Sequence, residues 1–78
     1  MPTVKRIRNY RFYFWSREER RRHIHIDSAD GTAKFWLEPD VELADFYNMK
    51  AKELRKLERL VRTYQDELTN AWNDYFLR

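Results

Sequence analysis

The spacing of apolar positions changes once along the 78 residues, near residue 48. Before it, short aromatic and β-branched runs are separated by turn signals. After it, apolar residues step by three or four. The first runs are Thr3–Tyr10 and Arg11–Ser16, with Asn9-Tyr10 as the tight connection, because Asn tolerates positive φ. The charged stretch Ser16–Arg22 reads as a loop. His23–Asp27 and Thr32–Leu37 follow as two strands joined through Ala29-Asp30-Gly31, since Asp-Gly between alternating runs is a strong hairpin signal. Pro39 cannot donate to a ladder and ends the second of them. Val41–Tyr47 is a fifth short strand.

The hairpin register can be read by parity. A two-residue turn at Asp30-Gly31 makes opposing positions sum to about 61, and a four-residue loop over 28–31 makes them sum to about 59. Either choice puts Ile24, Ile26, Phe35 and Leu37 on one face, and His23, His25, Asp27, Lys34 and Trp36 on the other. A slip by one would mix the two sets, so the pattern itself selects the register.

The last third has helical period. Leu54, Leu57, Val61, Tyr64, Leu68, Ala71 and Tyr75 form a stripe that Leu60, Trp72 and Phe76 widen, and no Gly or Pro interrupts residues 49–78. A helix over 51–76 would be about 39 Å long, whereas a six-residue strand spans only about 20 Å. The helix overhangs any sheet these strands build. Either it bends near Thr69-Asn70, or its aromatic end packs on another chain and makes a homodimer. The fold class is therefore α+β, a single domain over 1–78: an antiparallel sheet of four to five strands packed on one face by a long C-terminal helix.

Composition narrows the chemistry. The chain has no cysteine, so disulfides and thiolate metal sites are excluded. Its 13 aromatic residues supply core that a domain this small otherwise lacks. No apolar run approaches the ~20 residues of a membrane span, and no signal-peptide core opens the chain, so the expected location is the cytoplasm. The net charge of +3 hides an uneven distribution. Residues 1–25 hold eight Lys/Arg against Glu18 and Glu19, a balance of +6. Residues 26–49 hold Lys34 against six acids, a balance of −5, and residues 50–78 return to +2. The basic first third suits a phosphate-bearing partner.

Several segments carry a family resemblance: Met1-Pro2-Thr3-Val4 with Arg6-Ile7; Tyr10-Arg11-Phe12 with Phe14 and Ser16; His23-Ile24-His25-Ile26; Asp30-Gly31 with Ala33-Lys34-Phe35-Trp36-Leu37; Glu53-Leu54-Arg55; and Ala71-Trp72-Asn73 with Tyr75-Phe76. Together they make the chain similar to the bacterial "domain of unknown function 4160" family along nearly its whole length. Members usually carry Pro-Pro where this chain has Arg21-Arg22, and commonly Gly-Phe-Ser where it has Asn48-Met49-Lys50, which weakens the helix N-cap. The resemblance implies a small, uncharacterised bacterial protein, often encoded beside a second small protein in an arrangement like a toxin–antitoxin pair. It implies no catalytic residues.

The sharpest constellation is His23-x-His25-x-Asp27, whose members point the same way on a strand. Same-face neighbours lie roughly 6.5–7 Å apart, so a zinc ion would need a third ligand from another strand; no metal or other cofactor is expected. As an acid–base pair, His23 and His25 are the candidate catalytic residues of a metal-independent ribonuclease, one of them activating a 2′-hydroxyl while cations hold the phosphate. On the bland reading both are half-exposed strand residues flanking Trp36. The candidate nucleic-acid contacts are Arg6, Arg8, Arg11, Arg20, Arg21, Arg22, Lys34 and Trp36. Outward Tyr13 and Trp15 between Arg11 and Arg17 suit base stacking. The expected function is a toxin–antitoxin-type component that contacts RNA through a basic sheet face. The alternative is a non-catalytic interaction module, forming a homodimer or pairing with a small cognate protein, and a third reading, ranked below both, is a metal-binding domain built on His23 and His25. No membrane partner is expected.

Overall fold

The computed structural model describes residues 3–15 and 20–77. One antiparallel sheet runs in chain order through β1 (Thr3–Ile7), β2 (Tyr10–Tyr13), β3 (His23–Asp27), β4 (Thr32–Trp36) and β5 (Glu42–Tyr47). Helices α1 (Ala51–Thr63) and α2 (Gln65–Phe76) follow and cover one face. The architecture is the α+β sheet-and-helix layer that the period change implies.

The central hairpin has the register that parity selects. His23 pairs with Trp36, Ile24 with Phe35, His25 with Lys34 and Ile26 with Ala33, the pattern of the four-residue loop. Phe12, Phe14, Ile24, Ile26, Phe35 and Leu37 are buried under the helices against Leu57, Val61 and Leu68. Burying each such side chain contributes roughly 1.5–3 kcal/mol.

Two turn readings are corrected. The β1–β2 connection is Arg8-Asn9 rather than Asn9-Tyr10, because Ile7 pairs with Tyr10. The left-handed residue is Arg8, at φ 54°. Gly31, for its part, has no positive φ. Ser28 ties the loop, its N–H donating to the Gly31 carbonyl at 2.9 Å and its hydroxyl accepting the Gly31 N–H at 3.0 Å. Glycine is needed there for space: a Cβ would lie 2.4 Å from both the Tyr47 and the Asn48 carbonyl oxygens.

The helical segment breaks at Tyr64 (φ −105°, ψ 16°), five residues before the expected bend. The Thr63 hydroxyl donates back to the Arg59 carbonyl at 2.9 Å, a bond that tends to bend helices. Around the break the chain is pinned to the sheet. The Gln65 amide donates to the Leu37 carbonyl at 2.9 Å, and the Lys5 ammonium lies 4.5 Å from the Tyr64 ring centroid and 3.0 Å from Glu67 Oε2. Each half is about 18–20 Å long, the length of a strand, so both fit the sheet. Trp72 is 4% exposed and Phe76 packs against the core. The helix end is thus covered in part by its own chain, with Tyr75 and Leu77 left exposed. Among the described residues no helix is long and apolar enough to cross a membrane.

Gly31→Ala should lower stability by about 2–3 kcal/mol, since the clashing atoms are backbone and cannot swing away. Urea denaturation checks this through a reduced midpoint at constant slope. An unchanged midpoint would contradict the close approach.

Candidate nucleic-acid interface

The sheet face opposite the helices is built of cross-strand rungs. One rung is Arg6, Arg11, Asp27, Thr32 and Tyr47; the next is Tyr13, His25, Lys34 and Asp45; the third is His23, Trp36 and Glu42. Alternation along each strand puts these residues on the side away from α1 and α2, except that the ring of His23, at the start of β3, meets Trp72 of α2.

The rungs carry aromatic rings with cations laid over them. The guanidinium of Arg21 lies 4.3 Å and the ammonium of Lys34 4.5 Å from the Trp36 ring centroid. Arg11 lies 4.5 Å over the Tyr13 ring, and its Nε donates to the Thr3 hydroxyl at 2.8 Å. His25 stacks on Tyr13 at 5.4 Å and meets Trp15 edge-on at 5.9 Å. Tyr13 is buried by these groups although it belongs to the open face. Its hydroxyl donates to Asp27 Oδ1 at 2.9 Å. Burial first, and then this bond to a carboxylate, push its pKa up to about 12.

A groove of about 450 Å³ crosses the face, lined by Tyr13, Trp15, His25, Thr32, Lys34, Asp45, Phe46 and Tyr47. Trp15 is 44% and Tyr47 71% exposed, which leaves rings accessible along it. A second depression of about 770 Å³ lies by the start of α1, beside Lys50, Lys52 and Lys56. There the Tyr10 hydroxyl donates to Glu53 at 2.8 Å, and burial together with that bond raises its pKa.

The fold gathers some of the expected site residues and disperses others. Arg6, Arg11, Arg21, Lys34 and Trp36 share the open face or its rim. Arg20 is exposed just before β3, and Arg8 is exposed in the β1–β2 turn at the far end. Arg22 is directed to the helix side, its Nε donating to Asn73 of α2 at 2.9 Å and its Nη1 pairing with Glu38. Arg17 lies outside the described residues. Glu42 and Asp45 on β5 were not foreseen as part of this face. With them the open face carries cations at β1 (Arg6), β2 (Arg11), β4 (Lys34) and the loop before β3 (Arg21), and acids at β3 (Asp27) and β5 (Glu42, Asp45).

His23 differs most from expectation. It is fully buried, not half-exposed. Its ring meets Trp72 of α2 at 4.9 Å, His25 at 5.2 Å and Trp36 at 5.6 Å, and its Nδ1 lies 2.6 Å from the Arg21 carbonyl oxygen. Trp72 also meets Phe14 edge-on at 5.3 Å, closing this end of the sheet. His25 is half-buried on the groove. Among the described residues no three His, Asp or Glu side chains come together as a metal site.

The model of the family described as "Domain of unknown function (DUF4160)" matches residues 9–73. No curated protein and no solved structure matches the chain.

His23→Ala should cost about 2–4 kcal/mol, the range for emptying a buried site, while His25→Ala should stay within about 1 kcal/mol. Thermal unfolding of the two variants checks the contrast, and equal losses would contradict the different placements. Tyr13 gives a pH signature. Because the fold raises its pKa above the usual 10.0 to about 12, the stability it contributes is complete below pH 10 and fades as pH climbs towards 12. Ultraviolet titration of tyrosinate should lose its latest step in Tyr13→Phe; an unaltered curve above pH 11 would refute the assignment.

Proposed function

The chain belongs to this family of unknown function, and from that premise we propose that it is the RNA-contacting component of a toxin–antitoxin-type pair, holding single-stranded RNA on its open sheet face. One observation carries the reading: cations of β2, β4 and the loop before β3 lie over aromatic rings on a face that neither α1 nor α2 covers. Rings beneath the cations fix guanidinium and ammonium groups at a surface, where they meet phosphates, while accessible Trp15 and Tyr47 offer stacking planes for bases. Single strands suit such a face because their bases are free to stack.

The backbone path follows Arg6 and Arg11 of β1 and β2 and Arg21 of the loop before β3, since Glu42 and Asp45 repel phosphate at β5. The reading is one of binding. Cleavage by a His23–His25 pair would need both imidazoles at the substrate, and His23 is enclosed. The partner that completes the pair is a second small protein, as the family's gene arrangements imply. Induced expression with and without the neighbouring gene tests that part through growth arrest.

Binding of a homopolymeric single-stranded RNA should weaken with salt at a log–log slope of about −0.7 per neutralised phosphate, or about −2 to −3 for the cations of this face. The triple variant Arg11→Ala/Arg21→Ala/Lys34→Ala should flatten that slope. Trp15→Ala should cost about 1–3 kcal/mol of affinity. Arg55→Ala, exposed on α1, should change little. Filter binding at low salt decides: no affinity, or affinity indifferent to the triple variant, refutes the proposal.

A further inference from the structure

We propose that the chain associates head-to-tail with copies of itself, β1 of one copy adding in parallel to the free edge of β5 of the next. The contact runs along the backbone edges of the sheet but shares Arg6, Asp45 and Tyr47 with the open face, so it is tested on protein freed of RNA, and its failure leaves the RNA reading to the binding assay.

The sheet is open, with β1 and β5 as its two edges. An edge strand presents backbone donors and acceptors to another strand; on β5 one of them, the Phe46 N–H, donates to Asp45 Oδ1 at 2.9 Å and would exchange that partner for the incoming strand. Here the edges carry opposite charge: Arg6 and Arg8 in and beside β1, Glu42 and Asp45 in β5, while Lys5 is paired with Glu67 on the helix side. Like edges therefore repel, which disfavours the two-fold pairing of β5 with β5, while unlike edges attract. Direction also fits. A five-stranded antiparallel meander leaves β1 and β5 parallel, so a copy shifted sideways without rotation brings its β1 alongside β5 with both helical layers on the same side.

One register satisfies both faces at once. Placing Arg6 beside Asp45, both on the open face, puts Val4 beside Leu43 and Ile7 beside Phe46, all on the helix side. Phe46, 51% exposed in the single chain, would gain apolar cover from Ile7. Thr3 then meets Glu42, and Arg8 reaches Tyr47. The ladder irregularities of the two edges, at Val4 in β1 and Ala44 in β5, fall within one position of each other. Such a contact is heterologous and does not close on itself, so association is open-ended.

Sedimentation of the full chain, freed of nucleic acid by nuclease and ion exchange, tests this from micromolar to millimolar concentration. The weight-average mass should climb without a plateau at low salt and fall as salt rises. Glu42→Lys/Asp45→Lys and Arg6→Glu/Arg8→Glu should each weaken association at least tenfold alone. Mixing the two should restore it, since each then meets an edge of opposite charge. In the unaltered chain, amide exchange should slow with concentration at Glu42–Tyr47 and Thr3–Ile7. A monomer throughout the range, a plateau at dimer mass, association that survives both reversals, a mixture that stays monomeric, or protection confined to α2 would overturn the proposal.

Discussion

The fold depends on reconciling two lengths. The apolar stripe from Leu54 to Phe76 extends for about 33 Å as one helix, while the strands beneath it reach about 20 Å. The chain resolves the mismatch at Tyr64 by breaking the helix into two pieces of strand length. Lys5 and Gln65 then hold the break against the sheet. With α2 in this place, Leu68 and Trp72 are buried and His23 is enclosed, while Tyr75 and Leu77 stay exposed. The exposed edges of the sheet become the places where the molecule has unspent bonding capacity.

Much of the sheet could be read from residue order because alternation has a period of two and tolerates no slip. The His-x-His and Phe-x-Leu runs assign Ile24, Ile26, Phe35 and Leu37 to one common face, which is the face the helices cover, and the register agrees at every pair. The site was less legible, since strand alternation assigns a face and not an exposure. His23 and His25 are both on the open face by parity, yet one is sealed and the other half-open. The difference is made by Trp72, nearly fifty positions away, and by a helix break that no Gly or Pro announces. Arg22 was misplaced for a similar reason: its neighbour Arg21 turns to Trp36, while Arg22 turns to Asn73 and Glu38. Adjacent cations in a run look equivalent until partners are known.

Gly31 shows a different limit. Sequence reasoning assigns glycine in an Asp-Gly turn to backbone freedom, which is the commonest cause. Here the cause is crowding from the start of the β5–α1 connection, a contact between segments sixteen and seventeen residues apart. Such a requirement leaves no local signature. The acidic residues of β5 were visible as a charge block, but their effect on the open face depends on β4 lying between them and the arginines.

The bond between His23 and the Arg21 carbonyl links two layers with opposite relations to solvent. Arg21 meets the surface through its guanidinium, above Trp36, but its backbone is anchored by a ring that solvent never touches. A scan that scored ligand retention position by position would therefore mark His23 beside the surface arginines and draw the footprint one layer too deep. Separating anchor from contact needs a perturbation that removes charge while leaving the backbone where it is. Replacing Arg21 by a neutral side chain of similar length does so; replacing the imidazole does not.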